Sequence, residues 1–327
     1  MNKYFLSHIM HGLTHIIPLL IISGFMLVIR PIFPVNFQQD YLTPIIEFLW
    51  MILLPIFSAF VMFSISDRPG IVPGLVIGFF IYYLDLGYVT VILFSFMAAY
   101  MILGMKKIVS NMILSAKSIF STIFIPVIVI GLTLLLIYLW HLLMTQYFMP
   151  LFNLNIPYGI VIALSVILAS MMSYDFGGPV NKLAFLVGVI SLRYNEPSIL
   201  MAAVMAGGMI PPLGIALSKL ITPKYFSQEE KKKAILNYLN GFFFMTEGVL
   251  PFVQDDLKNK RIICMIAGGL TGLTIALFKT KTIFPHGGII IIPFMEQWIG
   301  FLIALFIGSI VLAISYSVLL LKESKNV

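Results

Sequence analysis

Apolar runs about as long as a bilayer core is thick recur along this chain, and few folds can accommodate them. One covers about Leu13 to Ile29, and others follow from Pro44 to Ile65, Tyr88 to Met105, Ile119 to Leu143 and Trp298 to Leu321. Between them, the polar stretch with Asn36, Gln38, Gln39 and Asp40 and the hydrophilic segment Thr222 to Lys233 read as connectors, and residues 66–74, rich in Pro and Gly, as a tight turn. A helix crossing the hydrocarbon needs about 20 mainly apolar residues, since each residue advances about 1.5 Å through about 30 Å. Water is excluded as the solvent for such a set. Charged residues are only 10% of the chain and hydrophobic ones 60%, against roughly a quarter charged in a soluble domain. The mean hydropathy of +1.05 agrees. The expected fold class is all-α, a polytopic membrane protein of about 8–10 transmembrane helices with re-entrant hairpins. The 327 residues are read as a single integral-membrane domain. The first run ends in Arg30-Pro31 without a small-residue cleavage site, so it is read as a retained span rather than a signal peptide.

The formal net charge is +7, carried by connector clusters: Lys106 and Lys107, Lys231 to Lys233, Lys258 with Lys260 and Arg261, and Lys322 with Lys325. Lysine and arginine gathered between apolar runs mark cytoplasmic loops, so the charge orients the chain and is not a nucleic-acid surface. With Lys3 on the same face, both termini are expected in the cytoplasm. The one cysteine, Cys264, lies within Ile262–Ile266 with no basic group beside it and reads as a buried structural thiol.

The second half is less regular. Residues 173–181 read SYDFGGPVN, Met245-Thr246-Glu247-Gly248 interrupts another apolar run, and Pro285-His286-Gly287-Gly288 makes a third break. The run from Ser198 to Leu220 also carries Gly207-Gly208 and Pro211-Pro212, read as an interruption. Polar, Gly- and Pro-rich backbone cannot face lipid without leaving amides and carbonyls unpaired. Such breaks belong where backbone lines a cavity, which is where transporters hold their cargo.

Ionisable groups in these breaks are the site candidates, because a charge within a membrane is costly. Glu247, beside Thr246, can accept two vicinal hydroxyls of a sugar or take a proton from one. The alternative is a carboxylate paired within the protein. His286, next to Gly287, can donate to a hydroxyl or act as a base, or be only an interior side chain. Asp175, with Asn181 and Lys182, flanks Gly177-Gly178-Pro179, and here turn formation competes with ligand binding. Asp67 and Arg68 are expected to pair or to cap the turn before Pro69. His11 and His15 have i,i+4 spacing, but no carboxylate or cysteine accompanies them, so no metal site is expected. Phosphate-binding loops, dinucleotide fingerprints and nucleophile elbows are absent from the sequence, and no cofactor is expected.

Taken in order, these segments resemble one family. Ser66-Asp67-Arg68-Pro69-Gly70 with Pro73-Gly74-Leu75 is similar to the "ADRPG…PGL" segment of the fructose-type enzyme IIC of the bacterial phosphotransferase system. Asp175–Lys182 resembles its "DMGGPVNK", with Phe176 in place of Met. Met209-Ile210-Pro211-Pro212 is similar to "MVPP", Thr246–Phe252 to "(S/T)EGAIPF", and Pro285–Gly288 to "PHGG". The start of the family is matched by Gly12–His15 through Pro18.

The resemblance implies a sugar-translocating subunit in the bacterial cytoplasmic membrane. A IIB protein would phosphorylate the sugar, most naturally fructose or a fructose-like hexose, from a phosphocysteine. A IIA component and upstream general carriers would supply the phosphoryl group. It also implies a homodimer whose mobile part carries the sugar, and a sugar site built on Glu247 and His286. Asp175, Gly177, Gly178, Asn181, Thr246 and Gly287 would surround the sugar, with Lys182 or Arg68 balancing phosphoryl charge. No IIA or IIB segment is recognised in the sequence, so separate polypeptides are expected to supply both. Two other readings stay open: a proton-coupled secondary sugar carrier using the same pair, and a non-transporting sugar sensor.

Overall fold

A computed structural model describes residues 3–110, 119–143, 157–194, 197–254 and 256–323. Among them the chain is helical, with two isolated β-bridges, Ser198 to Thr282 and Lys281 to Glu296. Seven of the described helices are long and apolar enough to cross a membrane, and three shorter apolar ones accompany them. The chain divides into two compact units, Met1–Asn155 and Ile156–Val327.

The first unit contains α1 (Lys3–Ile29), α2 (Thr43–Ser66), α3 (Ile71–Tyr83), α4 (Gly87–Val109) and α5 (Ile125–Leu143). Helix α2 is its hub, packed by α1, α3 and α4. Pro73 and Gly74, expected in a turn, lie inside α3. Glycine is needed there for close approach: a Cβ on Gly74 would stand 2.5 Å from the Ala59 Cα, and one on Gly78 would stand 2.5 Å from the Leu54 carbonyl oxygen. The polar stretch Asn36–Asp40, expected as a connector, is helical and continuous with α2, so that span runs Val35–Ser66. Pro34 takes the extended conformation suited to its fixed φ at the start, and no glycine or proline follows before Thr43 to stop the helix. Asp67 turns the chain with a φ of 62°. Neither the pair nor a side-chain cap forms: both Asp67 and Arg68 are exposed, and among the described residues neither side chain has a hydrogen bond or ion pair. Exposed side chains of α5 are apolar, including Val127, Leu132, Leu135 and Leu139, as a lipid-facing helix requires.

The second unit contains α6 (Tyr158–Met172), α7 (Pro179–Tyr194), α8 (Ile199–Ile221), α9 (Gln228–Phe242), α10 (Leu257–Leu277) and α11 (Trp298–Glu323). Helix α8 runs through the middle and touches the other five. Its small residues permit this: Gly207 abuts the Ala169 backbone on α6, and Gly214 abuts Leu312 on α11. The interruption expected at Gly207-Gly208 and Pro211-Pro212 does not occur, and α8 is continuous through both prolines. Pro211 has no N–H for the carbonyl four residues earlier, which is that of Gly207. The Ser173 hydroxyl donates to that carbonyl instead, at 3.0 Å.

Helix α9 starts within the hydrophilic segment expected as a connector. A capping box of Ser227 and Glu230 begins it, and an exposed Glu229–Lys233 pair at 2.6 Å supports its first turns. Its buried face is Ala234, Asn237 and Gly241, with Gly241 set against Leu213 of α8. Helices α6 and α10 run antiparallel. The Ser170 hydroxyl donates to the Met265 carbonyl at 3.1 Å. Further along, Gly268 lies against the backbone of Ala169, and Gly272 against that of Ser165.

Candidate functional site

All three sequence breaks of the second half fall in the second unit, and contacts link them. The first is the turn between α6 and α7. Asp175 stands ahead of Pro179, the first residue of α7, where a helix leaves its leading N–H groups unpaired. Its Oδ2 accepts from the Val180 N–H at 2.7 Å and its Oδ1 from the Asn181 N–H at 2.9 Å. Asp175 therefore fixes where α7 begins. Asn181 ties the turn to its surroundings: its Nδ2 donates to the Met172 carbonyl at 2.5 Å and to the Thr246 Oγ1 at 3.2 Å. Phe176 and Gly177 have φ of 50° and 94°. The turn thus crosses the left-handed region that glycine enters without strain.

The second break follows α9. The chain reverses at Phe244, with φ of 61°, and the Met245 N–H donates to the Asn240 carbonyl at 2.7 Å. Thr246 is buried, whereas Glu247, which opens a short 3-10 turn (Glu247–Val249), is exposed. The Glu247 side chain lies across Gly177: a Cβ there would come within 2.6 Å of Oε1 and 2.7 Å of Cγ. Among the described residues no hydrogen bond or ion pair engages the Glu247 carboxylate, so both oxygens are open to a ligand. The alternative of an internally paired carboxylate is not what these residues form. Beside it, Gly248 fits against the amides of Asn237 and Asn240, which are themselves hydrogen-bonded at 3.1 Å.

The third break carries His286, between α10 and α11. Its ring meets Phe244 at a centroid separation of 5.1 Å and Phe185 of α7 at 6.4 Å. Gly287 and Gly288 have φ of 137° and 57°. A Cβ on Gly288 would collide with the Phe242 carbonyl oxygen, so the bare glycine lets this loop rest on the end of α9.

Each predicted site residue can now be placed. Asp175, Gly177, Gly178, Asn181, Thr246, Glu247, His286 and Gly287 all lie in these contacting segments. A Cβ on Gly178 would stand 2.5 Å from Asp175 Oδ2, so Gly178 makes room for the cap. Lys182 is half-buried in the first turn of α7. Arg68 belongs to the other unit. Among the described residues Glu247 and His286 form no direct hydrogen bond, and no cluster of three or more His, Cys, Asp or Glu side chains could hold a metal ion. Missing from the sequence reading were the aromatic floor of Phe185 and Phe244 and the amide pair beside Gly248. Asn237 and Asn240 were discoverable, being two amides one helical turn apart leading into a polar break.

An open carboxylate, an imidazole on an aromatic floor and several backbone polar groups suit a neutral, many-hydroxyl ligand. Carboxylate oxygens accept from adjacent hydroxyls, and the rings offer apolar surface to the carbon face of a sugar.

No family model matches the chain. It is 32% identical over 285 residues to the fructose permease IIC component of Bacillus amyloliquefaciens, covering 80% of this chain and 87% of that protein. Against the fructose-like permease IIC component 2 of Escherichia coli it is 25% identical, over 98% of this chain and 92% of the other. To the fructose-specific EIIABC component of Bacillus subtilis it is 28% identical over 95% of its own length. The chain spans about half of that relative, 51%. Among solved structures it is similar to the transporter ChbC, the IIC component of the N,N'-diacetylchitobiose-specific phosphotransferase system. The TM-score is 0.61 at 13% identity, over 99% of this chain and 96% of the other, a likeness of fold.

Proposed function

This chain belongs to the fructose permease IIC family of the sugar phosphotransferase system, and we propose that it carries fructose or a fructose-like hexose across the membrane for phosphorylation by a IIB component. The observation that carries this reading is the open Glu247 carboxylate, held against the Cα of Gly177 where the polar breaks of the second unit meet. The fused IIA and IIB segments in the names of several relatives support IIB and IIA as its partners. Family likeness further supports a homodimer, and the basic connector clusters support both termini in the cytoplasm.

The residues divide the work. Asp175 has both oxygens committed to the turn, and Asn181 its side-chain N–H groups, so they position the site. Glu247 accepts two hydroxyls of the sugar, and His286 offers a ring nitrogen to a third. Phosphoryl transfer from a phosphocysteine to an alcohol depends mainly on alignment and charge balance. As the sugar oxygen attacks phosphorus, the S–P bond breaks, the cysteine leaves as thiolate, and the hydroxyl proton passes to Glu247. The burial of Cys264 in α10 supports a phosphoryl-bearing thiol on IIB rather than on this unit.

The test uses inside-out vesicles supplied with labelled fructose, phosphoenolpyruvate, the general carriers and cognate IIA and IIB. Labelled fructose phosphate whose formation needs both IIB and this chain is the expected result. Free fructose crossing in response to a proton gradient without IIB would establish a secondary carrier instead.

A further inference from the structure

Arg261 lies outside the three breaks, yet the packing brings it to the first of them. The register of α6 against α10 is set by small residues, Gly268 beside Ala169 and Gly272 beside Ser165. One turn nearer the start of α10, Ser170 bonds the Met265 carbonyl. One turn further, the same register places Arg261 opposite Tyr174, and the guanidinium lies over that ring with Cζ 4.4 Å from its centroid. Tyr174 immediately precedes Asp175 in the turn that presents Gly177 to Glu247.

The guanidinium is half-buried, and among the described residues no carboxylate pairs with it. Its Nε is sealed from solvent without a partner, and among the described residues no hydrogen bond or ion pair involves any of its nitrogens. The neighbouring Lys260 is fully buried and lies over Tyr316 instead, 5.4 Å from the ring centroid. Two adjacent cations therefore lie over different rings, and the one on the site turn has no anion among the described residues. A ring suits this purpose: it attracts the guanidinium without using its N–H donors, which stay available for a forked bond to phosphoryl oxygens. A half-buried cation without a counter-ion is costly, and an anionic ligand offsets that cost.

We propose that Arg261, held by Tyr174, binds the phosphoryl group as it passes from the IIB phosphocysteine to the sugar on Glu247. This inference rests on the phosphotransferase reading above. In the transfer the S–P bond breaks and the O–P bond forms, the proton leaves on Glu247, and Arg261 neutralises charge on the non-bridging oxygens. It makes Arg261, rather than Lys182 or Arg68, the principal charge partner.

The test compares wild type, R261Q, R261K and Tyr174→Leu in the full chain, measuring fructose affinity by calorimetry and transfer from phosphorylated IIB in vesicles. R261Q should bind fructose within about 2-fold of wild type while transfer falls about 100-fold, the cost typical of deleting one charge-stabilising group. R261K should recover part of the rate, since it restores charge without the fork. Tyr174→Leu should slow transfer with Arg261 still present. Wild-type transfer by R261Q, or loss of fructose binding in a folded R261Q, overturns the proposal. So does unchanged transfer with only weaker inhibition by fructose phosphate, which would assign the cation to the product. If R261Q does not fold, R261K decides: slower transfer with fructose binding kept supports the assignment, and an unchanged rate removes it. Wild-type chain that binds fructose but never has it phosphorylated by IIB defeats the underlying reading, and the inference falls with it.

Discussion

Glu247 lies against the bare Cα of Gly177, so close that a single methyl group there would stand 2.6 Å from its Oε1. Gly177 also has a φ of 94°. Both facts make alanine unwelcome, one through strain and the other through collision with the group proposed to hold the sugar. Gly177→Ala should weaken fructose binding by more than about 10-fold, since displacing a charged acceptor forfeits roughly 1.5–3 kcal/mol per hydrogen bond. Gly104→Ala is the control: nothing lies within 4 Å of its would-be Cβ, so binding should be unchanged. Calorimetry on both purified variants checks the contrast, and equal affinities would show that the contact is incidental.

Ser173 serves the one α8 carbonyl that Pro211 leaves without its helical partner, at 3.0 Å. Its hydroxyl is fully buried. Ser173→Ala leaves the Gly207 carbonyl unpaired at the centre of the second unit, a loss of about 1–3 kcal/mol. A lower thermal midpoint in detergent is expected, with fructose affinity changed less than stability. An unshifted midpoint would mean that α8 bridges its prolines by other means.

The same pair shows what the sequence could and could not reveal. Pro211-Pro212 reads as a break because proline withholds an N–H, and that local rule is sound. What rescued α8 was a hydroxyl 34 residues away, known only once α6 is packed against it. Asn36–Asp40 misled in the opposite way, since polar residues at an exposed end of a helix cost it nothing. The site itself was legible for a simple reason. Glu247 and His286 are ionisable groups next to glycines inside otherwise apolar runs, and such groups need a purpose. Asp175 was legible only in part: its spacing before Gly-Gly-Pro showed a turn, while its two oxygens prove to be the cap of α7. The Tyr174–Arg261 contact was hidden, because it depends on the α6–α10 register and not on any local motif.

Glu247→Gln keeps the volume of the side chain and removes its charge. If the carboxylate accepts sugar hydroxyls and then the proton, the amide loses one acceptor and the base together. Fructose binding should fall roughly 10- to 100-fold and phosphorylation by IIB further still, in a chain that elutes and melts like wild type. The carboxylate is exposed and unpaired among the described residues, so no folding penalty should obscure the result. Near-normal phosphorylation by the variant would remove Glu247 from the chemistry.

Cys264 provides the opposite expectation. The thiol is completely buried in α10, between helices, with no described base or cation bonded to it. A phosphoryl carrier has to meet both its donor and its acceptor, which a sealed side chain cannot do. Cys264→Ser is nearly isosteric and should leave phosphorylation of fructose within about 2-fold of wild type, with a modest loss of stability from burying a hydroxyl. An impermeant thiol reagent should likewise leave the folded chain unlabelled and active. Abolished transfer in a folded Cys264→Ser chain would place the thiol on the phosphoryl path and require α10 to open during turnover.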